Sequence, residues 1–410
     1  MKTRNLPMKG ALYRNLKSIL QNLFLLTGVL FLCFLFLEVG LRLLVSLPPH
    51  ERPPTSFWQP HPSLGWSLIP NKEGRWENQE FSNLIRINSA GFRDLEYSLE
   101  KPEGVFRIIV LGDSMTEGLQ VPLEQTFAKI LETLLNGDMV KDNPSKKKFE
   151  VLNLGVAAYG TGQEYLLLKE YGLRYQPDLV ILAFLSLNDV LNNSLKLEKS
   201  MAGTEWERAY RPYFIPDGNG DLKLIPPRAI RIPFWENLYT YRFILQKIRT
   251  APGLRRWFLP QHTERDFWGL YNPRLTPEWR EAWDITQKLI LKIKKEAGDH
   301  HAGFLLVSLT NRDSFIDGTF ADQLKRYASV NWDIDKPDKI LEDFCQEHSI
   351  PFLALTPLFR DYLKKADRPI QFHYASDGHW NVEGHRLAAE FIYKKLKEME
   401  VVQKSLDNSN

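Results

Sequence analysis

From residue 105 to residue 400, short apolar runs alternate with stretches whose apolar residues have helical spacing. The apolar runs are Val105–Leu111, Phe149–Leu154, Asp178–Leu185, Gly303–Leu309 and Pro351–Leu355. Such runs are typical of strands buried on both faces of a parallel sheet. The stretches with helical spacing are Glu124–Leu135, Gly162–Tyr175, Pro277–Ala297, Lys339–Glu347 and Gly384–Met399. The alternation predicts an α/β fold, a three-layer parallel sheet of about five strands with helices on both faces.

Two regions depart from this alternation. Residues 46–104 hold a Pro-rich linker and then short segments broken by Trp, Gly, Pro and Asn, which favour strands and turns at one edge of the main domain. Residues 192–276 form a large insertion in a domain predicted at 105–400, and 401–410 is a polar tail. The aromatic side chains of the insertion can form a lid, a wall that stacks on sugars, or a small satellite core. They are Trp206, Tyr210, Tyr213, Phe214, Trp235, Tyr239, Trp257 and Trp268.

The N-terminal segment has the pattern of a membrane anchor. Residues 19–45 are mostly apolar, and a helix needs ~20 residues to cross the hydrocarbon core. The basic segment 1–18 predicts a cytoplasmic N-terminus and a main domain in the periplasm or at the cell surface. Glu38 and Arg42 interrupt the run and can pair on one helix face. A cleaved signal peptide and a buried soluble helix are the alternatives, although no small-x-small cleavage site follows.

Composition and charge narrow the functional classes. The 410 residues are 43% hydrophobic and 25% charged, as in ordinary globular proteins. The net charge of +3 comes from the basic N-terminal segment, so no nucleic-acid-binding face is predicted. Cys33 lies in the apolar run and Cys345 in a helical stretch, which makes a disulfide between them implausible. Cys345 is expected to be a buried structural thiol.

Side chains suited to acyl chemistry follow the predicted strands. Ser114 follows the first strand within Gly112-Asp113-Ser114, and Asn188 follows the third strand. Asp377 and His379 stand just before the last helix. Because ligands bind beyond the carboxyl ends of parallel strands, we expect these side chains to meet there. Ser suits a nucleophile, an Asp–His pair suits a base with its orienting carboxylate, and an Asn amide suits an oxyanion donor.

Each of these signals also has a structural interpretation. Ser is a common helix N-cap, and Asn is a common turn residue. Asp377 and His379 can equally form half of a metal site, with His373 and His385 nearby. We predict no metal, because no third ligand stands at metal spacing. The small-residue loop from Asn153 to Thr161 can offer backbone N–H groups to a ligand.

Together the segments resemble the GDSL/SGNH hydrolase superfamily, which has a flavodoxin-like fold. They read GDSM, NLGVAAYG, SLND and DGHWN, and the resemblance covers about residues 105–200 and 277–400. Two features depart from the usual family pattern. Ser186 replaces the Gly before the Asn-Asp pair, and Asp377 lies two positions before the histidine where three is more common. The D-x-H-W form is similar to that of alginate-type polysaccharide O-acetyltransferases.

The resemblance implies a role for five residues. They are Ser114 as the nucleophile, His379 as the general base, Asp377 as its orienting carboxylate, and Ser114, Ala158 and Asn188 as oxyanion donors. Ala158 stands at the family's glycine position, and Ala tolerates a positive φ poorly. Gly155 and Gly160 are therefore alternatives for the donor in this loop.

The resemblance implies a serine esterase or acylhydrolase that cleaves an ester bond, typically O-acyl, through an acyl-serine intermediate and without a cofactor. Its partners would be the membrane and an ester-bearing small molecule, lipid or glycan, so a lipase or phospholipase belongs to the same class. The first alternative is an O-acyltransferase that modifies a cell-envelope polysaccharide. The second is a catalytically silent envelope protein that binds glycans.

Overall fold

The computed structural model describes residues 8–45, 57–142, 148–200, 210–227, 238–250, 267–310 and 333–400. Its strands are β1 (Trp58–His61), β2 (Gly65–Leu68), β3 (Glu73–Glu77), β4 (Ser82–Arg86), β5 (Val105–Gly112), β6 (Lys148–Asn153), β7 (Leu179–Phe184), β8 (Tyr213–Pro216), β9 (Leu222–Ile225), β10 (Gly303–Ser308) and β11 (Phe352–Ala354). Its helices are α1 (Met8–Leu44), α2 (Ser114–Glu117), α3 (Phe127–Asp142), α4 (Thr161–Glu170), α5 (Ser186–Asn192), α6 (Leu195–Ser200), α7 (Tyr239–Thr250), α8 (Pro277–Asp299), α9 (Lys336–Glu347), α10 (Leu355–Lys365) and α11 (Val382–Glu398). Short 3-10 turns lie at Leu123–Gln125, Gly172–Tyr175 and Phe267–Tyr271.

The chain divides into two compact units. One holds Met1–Pro49 and Ile230–Gln261, and the other holds His50–Ala229 and His262–Asn410. The first unit therefore combines the N-terminal segment with part of the insertion. The second unit contains the sheet and the residues with candidate chemistry.

A five-stranded parallel sheet organises the second unit, in the order β11-β10-β7-β5-β6. Val110 of β5 pairs with Asn153 on one side and with Ile181 on the other. The predicted α/β fold with about five parallel strands is confirmed. Strand β5 ends at Gly112 and strand β7 at Phe184, so the segments that follow them emerge at the same edge of the sheet.

Helices cover both faces of the sheet because the strands are apolar on both sides. Ile109 and Leu111 of β5 pack in a core with residues of α4 and α8, such as Leu289. Ile108 of the same strand packs in a second core with residues of α3 and α11, such as Phe127. These side chains are fully buried, as strands between two helical layers require.

Two antiparallel hairpins precede the sheet: β1 pairs with β2, and β3 pairs with β4. Phe57, Trp58, Trp66 and Ile85 of this region belong to the same core as α4 and α8. The N-terminal extension is thus an integral layer of the second unit.

The described residues of the insertion are divided between the two units. Phe214 belongs to the core of α4 and α8, and its ring packs edge-on against Tyr165. Tyr213 is buried beside it, and its hydroxyl donates to Glu198. Tyr239 begins α7 in the first unit. Of the aromatics in the lid hypothesis, Trp206, Trp235 and Trp257 lie outside the described residues.

The structure also contains helices that the apolar pattern did not predict. Helix α10 follows β11 directly, and its buried face includes Leu355 and Phe359. Helix α5 holds Asn188 in its first turn. Helix α5 is short and has little periodicity in the sequence, and helix α10 begins directly at the end of a strand.

Helix α1 begins at Met8, earlier than the predicted 19, and ends at Leu44. By length and composition, its segment Leu16–Leu44 can cross a membrane. Arg42 Nε donates to Glu38 Oε1 at 2.9 Å, the pairing expected from their spacing.

Candidate active site

Ser114 lies at the turn between β5 and α2. Asp113 caps the helix, since its Oδ1 accepts a hydrogen bond from the Met115 N–H at 2.9 Å. Gly112 permits this sharp turn, because a Cβ there would lie 2.1 Å from Thr116 Oγ1. The local sequence thus projects the Ser114 hydroxyl at the carboxyl edge of the sheet.

His379 contacts the Ser114 hydroxyl. Its Nε2 lies 2.8 Å from Ser114 Oγ, and its Nδ1 lies 2.6 Å from Asp377 Oδ1. Burial opposes ionisation of Asp377, but the hydrogen bond and the charge of His379 outweigh it and lower the pKa of the carboxyl. An ionised carboxylate on Nδ1 holds a proton there and leaves Nε2 as the acceptor that faces the serine.

The loop that carries His379 is held from two sides. Tyr374 N–H donates to the His379 carbonyl at 2.9 Å, and the buried Trp380 indole N–H donates to Thr310 Oγ1 at 2.9 Å. Glu80, between β3 and β4, accepts the N–H groups of Ala375 at 2.8 Å and of Ser376 at 2.9 Å. The N-terminal extension therefore helps to fix the position of the histidine.

Asn188 lies near the same edge, in the first turn of α5. Its Nδ2 donates to Asp113 Oδ2 at 2.6 Å. An amide nitrogen carries two hydrogens, so the same side chain can also donate to an oxyanion. Burial raises the pKa of Asp113, while hydrogen bonds from the Met115 N–H and from Asn188 oppose that rise.

Ala158 adopts the left-handed backbone conformation, with φ of 61°. Neither Gly155 nor Gly160 has a positive φ, so the alanine occupies the conformation in this loop that favours glycine. Gly155 instead permits close packing, because a Cβ there would lie 2.4 Å from the Glu117 backbone nitrogen.

Four side chains hold the peptides around Ala158. The Trp66 indole N–H donates to the Ala157 carbonyl at 3.0 Å, and Arg211 Nη1 donates to the Ala158 carbonyl at 2.7 Å. Asn192 Nδ2 also lies 3.5 Å from that carbonyl. The Ala157 N–H donates to Glu117 Oε2. The Trp66 contact fixes the Ala157–Ala158 peptide, which carries the Ala158 N–H, and a fixed N–H is what an oxyanion donor requires.

Glu117 is fully buried three residues after Ser114. Burial raises its pKa from 4.5 to about 8, although the Ala157 N–H and the Arg93 charge favour the ionised form. Arg93 is itself buried, which lowers its pKa to about 10. Its Nη1 donates to the Glu117 carbonyl at 2.9 Å, and its Nη2 donates to the Val121 carbonyl.

A buried acidic pair lies behind Asn188. Asp189 accepts the Leu185 N–H at 2.7 Å and the Thr161 hydroxyl at 2.9 Å. Burial, together with the charge of Asp113, raises the pKa of Asp189 well above its usual value. Burial also raises the pKa of Glu164, which interacts with Asp189. The carboxyls of this buried pair therefore favour their protonated forms.

The two other histidines near the last helix have structural contacts. The Phe127 N–H donates to His385 Nδ1 at 3.2 Å, and burial lowers the pKa of His385 to about 3. His373 is buried, and its backbone pairs with that of Trp380. Within the described ranges, no group of three or more His, Cys, Asp or Glu residues is arranged to hold a metal ion.

The structure thus brings together the side chains of Ser114, Asp377 and His379, and it brings Asn188 to Asp113 beside that serine. Sequence reasoning did not identify Glu80, Arg93, Glu117 or Arg211. A glutamate three positions after a candidate nucleophile has no distinctive pattern, and the other three stand in irregular segments.

The chain matches a family of known hydrolases and is similar in structure to several esterases. The model of the GDSL-like lipase/acylhydrolase family matches residues 110–387 of the 410. No curated protein matches the sequence significantly. Among solved structures, an acetyl xylan esterase is similar with 13% identity, a TM-score of 0.36, and coverage of 70% of this chain and 98% of that chain. A GDSL-like lipase from Bacteroides thetaiotaomicron is similar with 14% identity, a TM-score of 0.36, and coverage of 74% of this chain and 93% of that chain. A catalytic mutant of an acetylxylan esterase from Geobacillus stearothermophilus is similar with 11% identity, a TM-score of 0.37, and coverage of 71% of this chain and 94% of that chain.

Proposed function

Because the chain belongs to the GDSL-like lipase/acylhydrolase family and is a hydrolase of ester bonds, we propose that it works through an acyl-serine intermediate on Ser114. One observation carries the proposal: hydrogen bonds run from Asp377 through His379 to Ser114 Oγ. A nucleophile, a base and an orienting carboxylate in this order are the parts that acyl transfer to serine requires.

In the first half of the reaction, His379 Nε2 takes the proton of the Ser114 hydroxyl while Oγ attacks the carbonyl carbon of the ester. The carbonyl π electrons move to its oxygen, which becomes an oxyanion. The Asp377 carboxylate stabilises the imidazolium that forms. His379 then gives the proton to the alkoxide leaving group, the ester C–O bond breaks, and the acyl group remains on Ser114.

In the second half, water takes the place of the alcohol. His379 accepts a proton from the water as its oxygen attacks the acyl carbon, and a second oxyanion forms. When that oxyanion collapses, the bond to Ser114 Oγ breaks, and Oγ takes the proton back from His379. The products are a carboxylic acid and the free enzyme.

The oxyanion receives three donors in this proposal: the N–H groups of Ser114 and Ala158, and the amide of Asn188. The contacts that orient Asn188 and the Ala157–Ala158 peptide support this role, because a donor that is fixed in advance needs no reorganisation during the reaction. A fixed donor of this kind contributes a factor of about 10²–10³ to the rate.

The substrate class that we propose is an O-acyl ester of a small molecule, lipid or glycan. Transfer to a sugar hydroxyl is the second candidate, favoured by the order Asp377-Gly378-His379-Trp380, which is similar to that of alginate-type O-acetyltransferases. We also propose that α1 anchors the enzyme in a membrane, with its N-terminus in the cytoplasm and its catalytic unit outside.

The experiment is turnover of p-nitrophenyl acetate by the full chain in detergent, with Ser114→Ala as the variant. The proposal predicts that the variant loses turnover and keeps its circular dichroism spectrum. A parallel reaction of p-nitrophenyl acetate with an unacetylated oligosaccharide acceptor distinguishes release of acetate from transfer of the acetyl group to a sugar hydroxyl. Equal turnover by the native chain and the variant would exclude Ser114 as the nucleophile.

A further inference from the structure

The carboxylate of Glu38, in the apolar helix α1, binds the first turn of α7. Its oxygens accept the Tyr239 N–H at 2.7 Å, the Thr240 N–H at 2.8 Å and the Thr240 hydroxyl at 2.8 Å. Glu38 is 7% exposed, whereas most of its neighbours along α1 are exposed apolar residues. Arg42 completes the cluster, since its guanidinium pairs with Glu38 and lies 5.7 Å from the centre of the Tyr239 ring. A carboxylate at a helix N-terminus is stabilising, so Glu38 fixes the start of α7 against α1.

The position of Glu38 along α1 sets the depth of this contact in a bilayer. The mostly apolar stretch from Ile19 to Leu37 measures about 28 Å at about 1.5 Å per residue, close to the ~30 Å thickness of the hydrocarbon core. When this run spans the core, Glu38 and the first turn of α7 lie at the level of the lipid headgroups.

Helix α7 is amphipathic and basic. Tyr241, Ile244 and Ile248 share one face at helical spacing, and Ile244 is 51% exposed. Arg242 and Lys247 lie on the two sides of this stripe. Between residues 228 and 256 the sequence has one acidic residue, Glu236, against seven basic ones. The basic residues are Arg228, Arg231, Arg242, Lys247, Arg249, Arg255 and Arg256.

We infer that α7 is a membrane-surface helix that packs on the anchor through Glu38 and lies on an anionic bilayer, in the leaflet at the C-terminal end of α1. The stripe, on which Ile244 is exposed and Tyr241 and Ile248 are half-buried, enters the headgroup boundary, and the basic residues beside it bind anionic headgroups. Helix α1 is therefore a permanent element of the folded protein, because its removal would leave the start of α7 without the carboxylate that caps it. This inference rests on the membrane anchor proposed above and is independent of the esterase chemistry.

The test is a depth measurement by electron paramagnetic resonance on the full chain in vesicles of phosphatidylcholine and phosphatidylglycerol. A nitroxide is placed on Ile244→Cys in a Cys33→Ser background, in which the remaining Cys345 is buried. Phe24→Cys, 83% exposed on α1, is the lipid reference, and Leu84→Cys, 46% exposed on β4, is the water reference. Relaxation by oxygen reports lipid exposure, and relaxation by a water-soluble nickel chelate reports water exposure.

The inference predicts that the label at position 244 is intermediate, with more oxygen and less nickel accessibility than the Leu84 label. Nickel accessibility equal to that of the Leu84 label would overturn it, because α7 would then lie in water. Low accessibility to both reagents would also overturn it, because protein would then cover the stripe. If the label at position 24 were accessible to nickel, α1 would not span the bilayer, and the proposed membrane anchor would be wrong. Ester turnover, measured on the same samples, tests the proposed chemistry separately.

Three further variants test the basic residues of α7 and the contact of Glu38 with its first turn. In Arg242→Gln/Lys247→Gln, the label at 244 should lose the increase in depth that phosphatidylglycerol produces in the native sequence. Equal depth with and without phosphatidylglycerol in the native sequence would contradict the anionic partner. Glu38→Ala should raise the nickel accessibility at position 244, and Glu38→Gln, which keeps an acceptor oxygen, should raise it less. No change in Glu38→Ala would contradict the capping contact.

Discussion

His379 Nε2 lies 2.8 Å from Ser114 Oγ, although 265 positions separate the two residues in the chain. Ser114 is fixed by β5 and α2, whereas the loop of His379 is bonded through Ala375 and Ser376 to Glu80 in the N-terminal extension. The relationship therefore depends on the hairpin of β3 and β4 as well as on the sheet. A catalytic unit that begins at residue 105 would lack the contact that holds the histidine loop.

Replacement of Asp377 tests the orientation of the histidine. Asp377→Asn keeps the size of the side chain but removes the charge that stabilises the imidazolium, so we expect kcat to fall by up to about 10⁴. Steady-state kinetics measure the change, and Asp367→Asn, an exposed position nearby, is the control that should keep full activity. Unchanged kcat in Asp377→Asn would exclude the proposed role.

Removal of the Asn188 amide tests the proposed oxyanion contact. Asn188→Ala should lower kcat by about 10²–10³ with little change in KM, because the donor acts on charge that develops in the transition state. The loss also leaves the buried Asp113 Oδ2 without the bond from Asn188, which costs about 1–3 kcal/mol of stability. Asn219→Ala, in the exposed turn between β8 and β9, should change neither quantity. A rise in KM at constant kcat would assign Asn188 to substrate binding instead.

The left-handed conformation of Ala158 makes Ala158→Gly a stabilising change. Glycine adopts a positive φ without the steric cost that alanine bears, so the free energy of unfolding should rise by about 1 kcal/mol while activity is kept. Chemical denaturation measures the free energy of unfolding of both chains. Ala157→Gly is the matched control, since Ala157 has an ordinary φ and should lose stability on replacement. If the Ala158→Gly variant were less stable than the native chain, the positive φ would carry no steric cost at Ala158.

The raised pKa of Glu117 predicts how stability depends on pH. Its pKa rises from 4.5 to about 8 through burial, so between these values the folded chain holds a proton that the unfolded chain has released. The free energy of unfolding therefore falls as pH rises across this window, by roughly 1.4 kcal/mol per pH unit for one such group. Buried Asp113, Asp189 and Glu164 contribute in the same direction.

Glu117→Gln should reduce this slope, because glutamine keeps an oxygen for the Ala157 N–H and does not titrate. Denaturation curves between pH 5 and about 8 measure the slope, and Glu124→Gln, exposed in the same segment, should leave it unchanged. Equal slopes in the native chain and in Glu117→Gln would mean that Glu117 is not the group that holds the proton.

The sheet was predictable because its strands are apolar on both faces. The run Val105–Leu111 appears as the strand Val105–Gly112, and Asp178–Leu185 appears as Leu179–Phe184. Strand ends also indicated where chemistry would gather, since Ser114 and Asn188 directly follow two of these strands. Helix α10 was not predicted, because its Leu355–Lys365 segment begins immediately at the end of a strand and contains Pro357 in its first turn.

The supports of the site could not be predicted in the same way. Glu80 reaches Ser376 across 296 positions, Arg211 reaches Ala158 across 53, and Trp66 reaches Ala157 across 91. Each contact joins segments that are distant in the chain, and the sequence has no period that reports such a partner. The backbone of Ala158 is a similar case, because the sequence shows an alanine and only the fold around it requires a positive φ.

If Ser114 forms a covalent acyl intermediate, its hydroxyl should react with a fluorophosphonate probe, which forms a stable adduct with nucleophilic serines. The full chain and its Ser114→Ala variant are treated with the probe, and the labelled peptide is identified by mass spectrometry. We predict a single adduct on the peptide that contains Ser114 in the native chain, and no adduct in the folded variant. Labelling of the variant at the native rate, or no labelling of a folded native chain, would mean that Ser114 is not the nucleophile that forms the acyl intermediate.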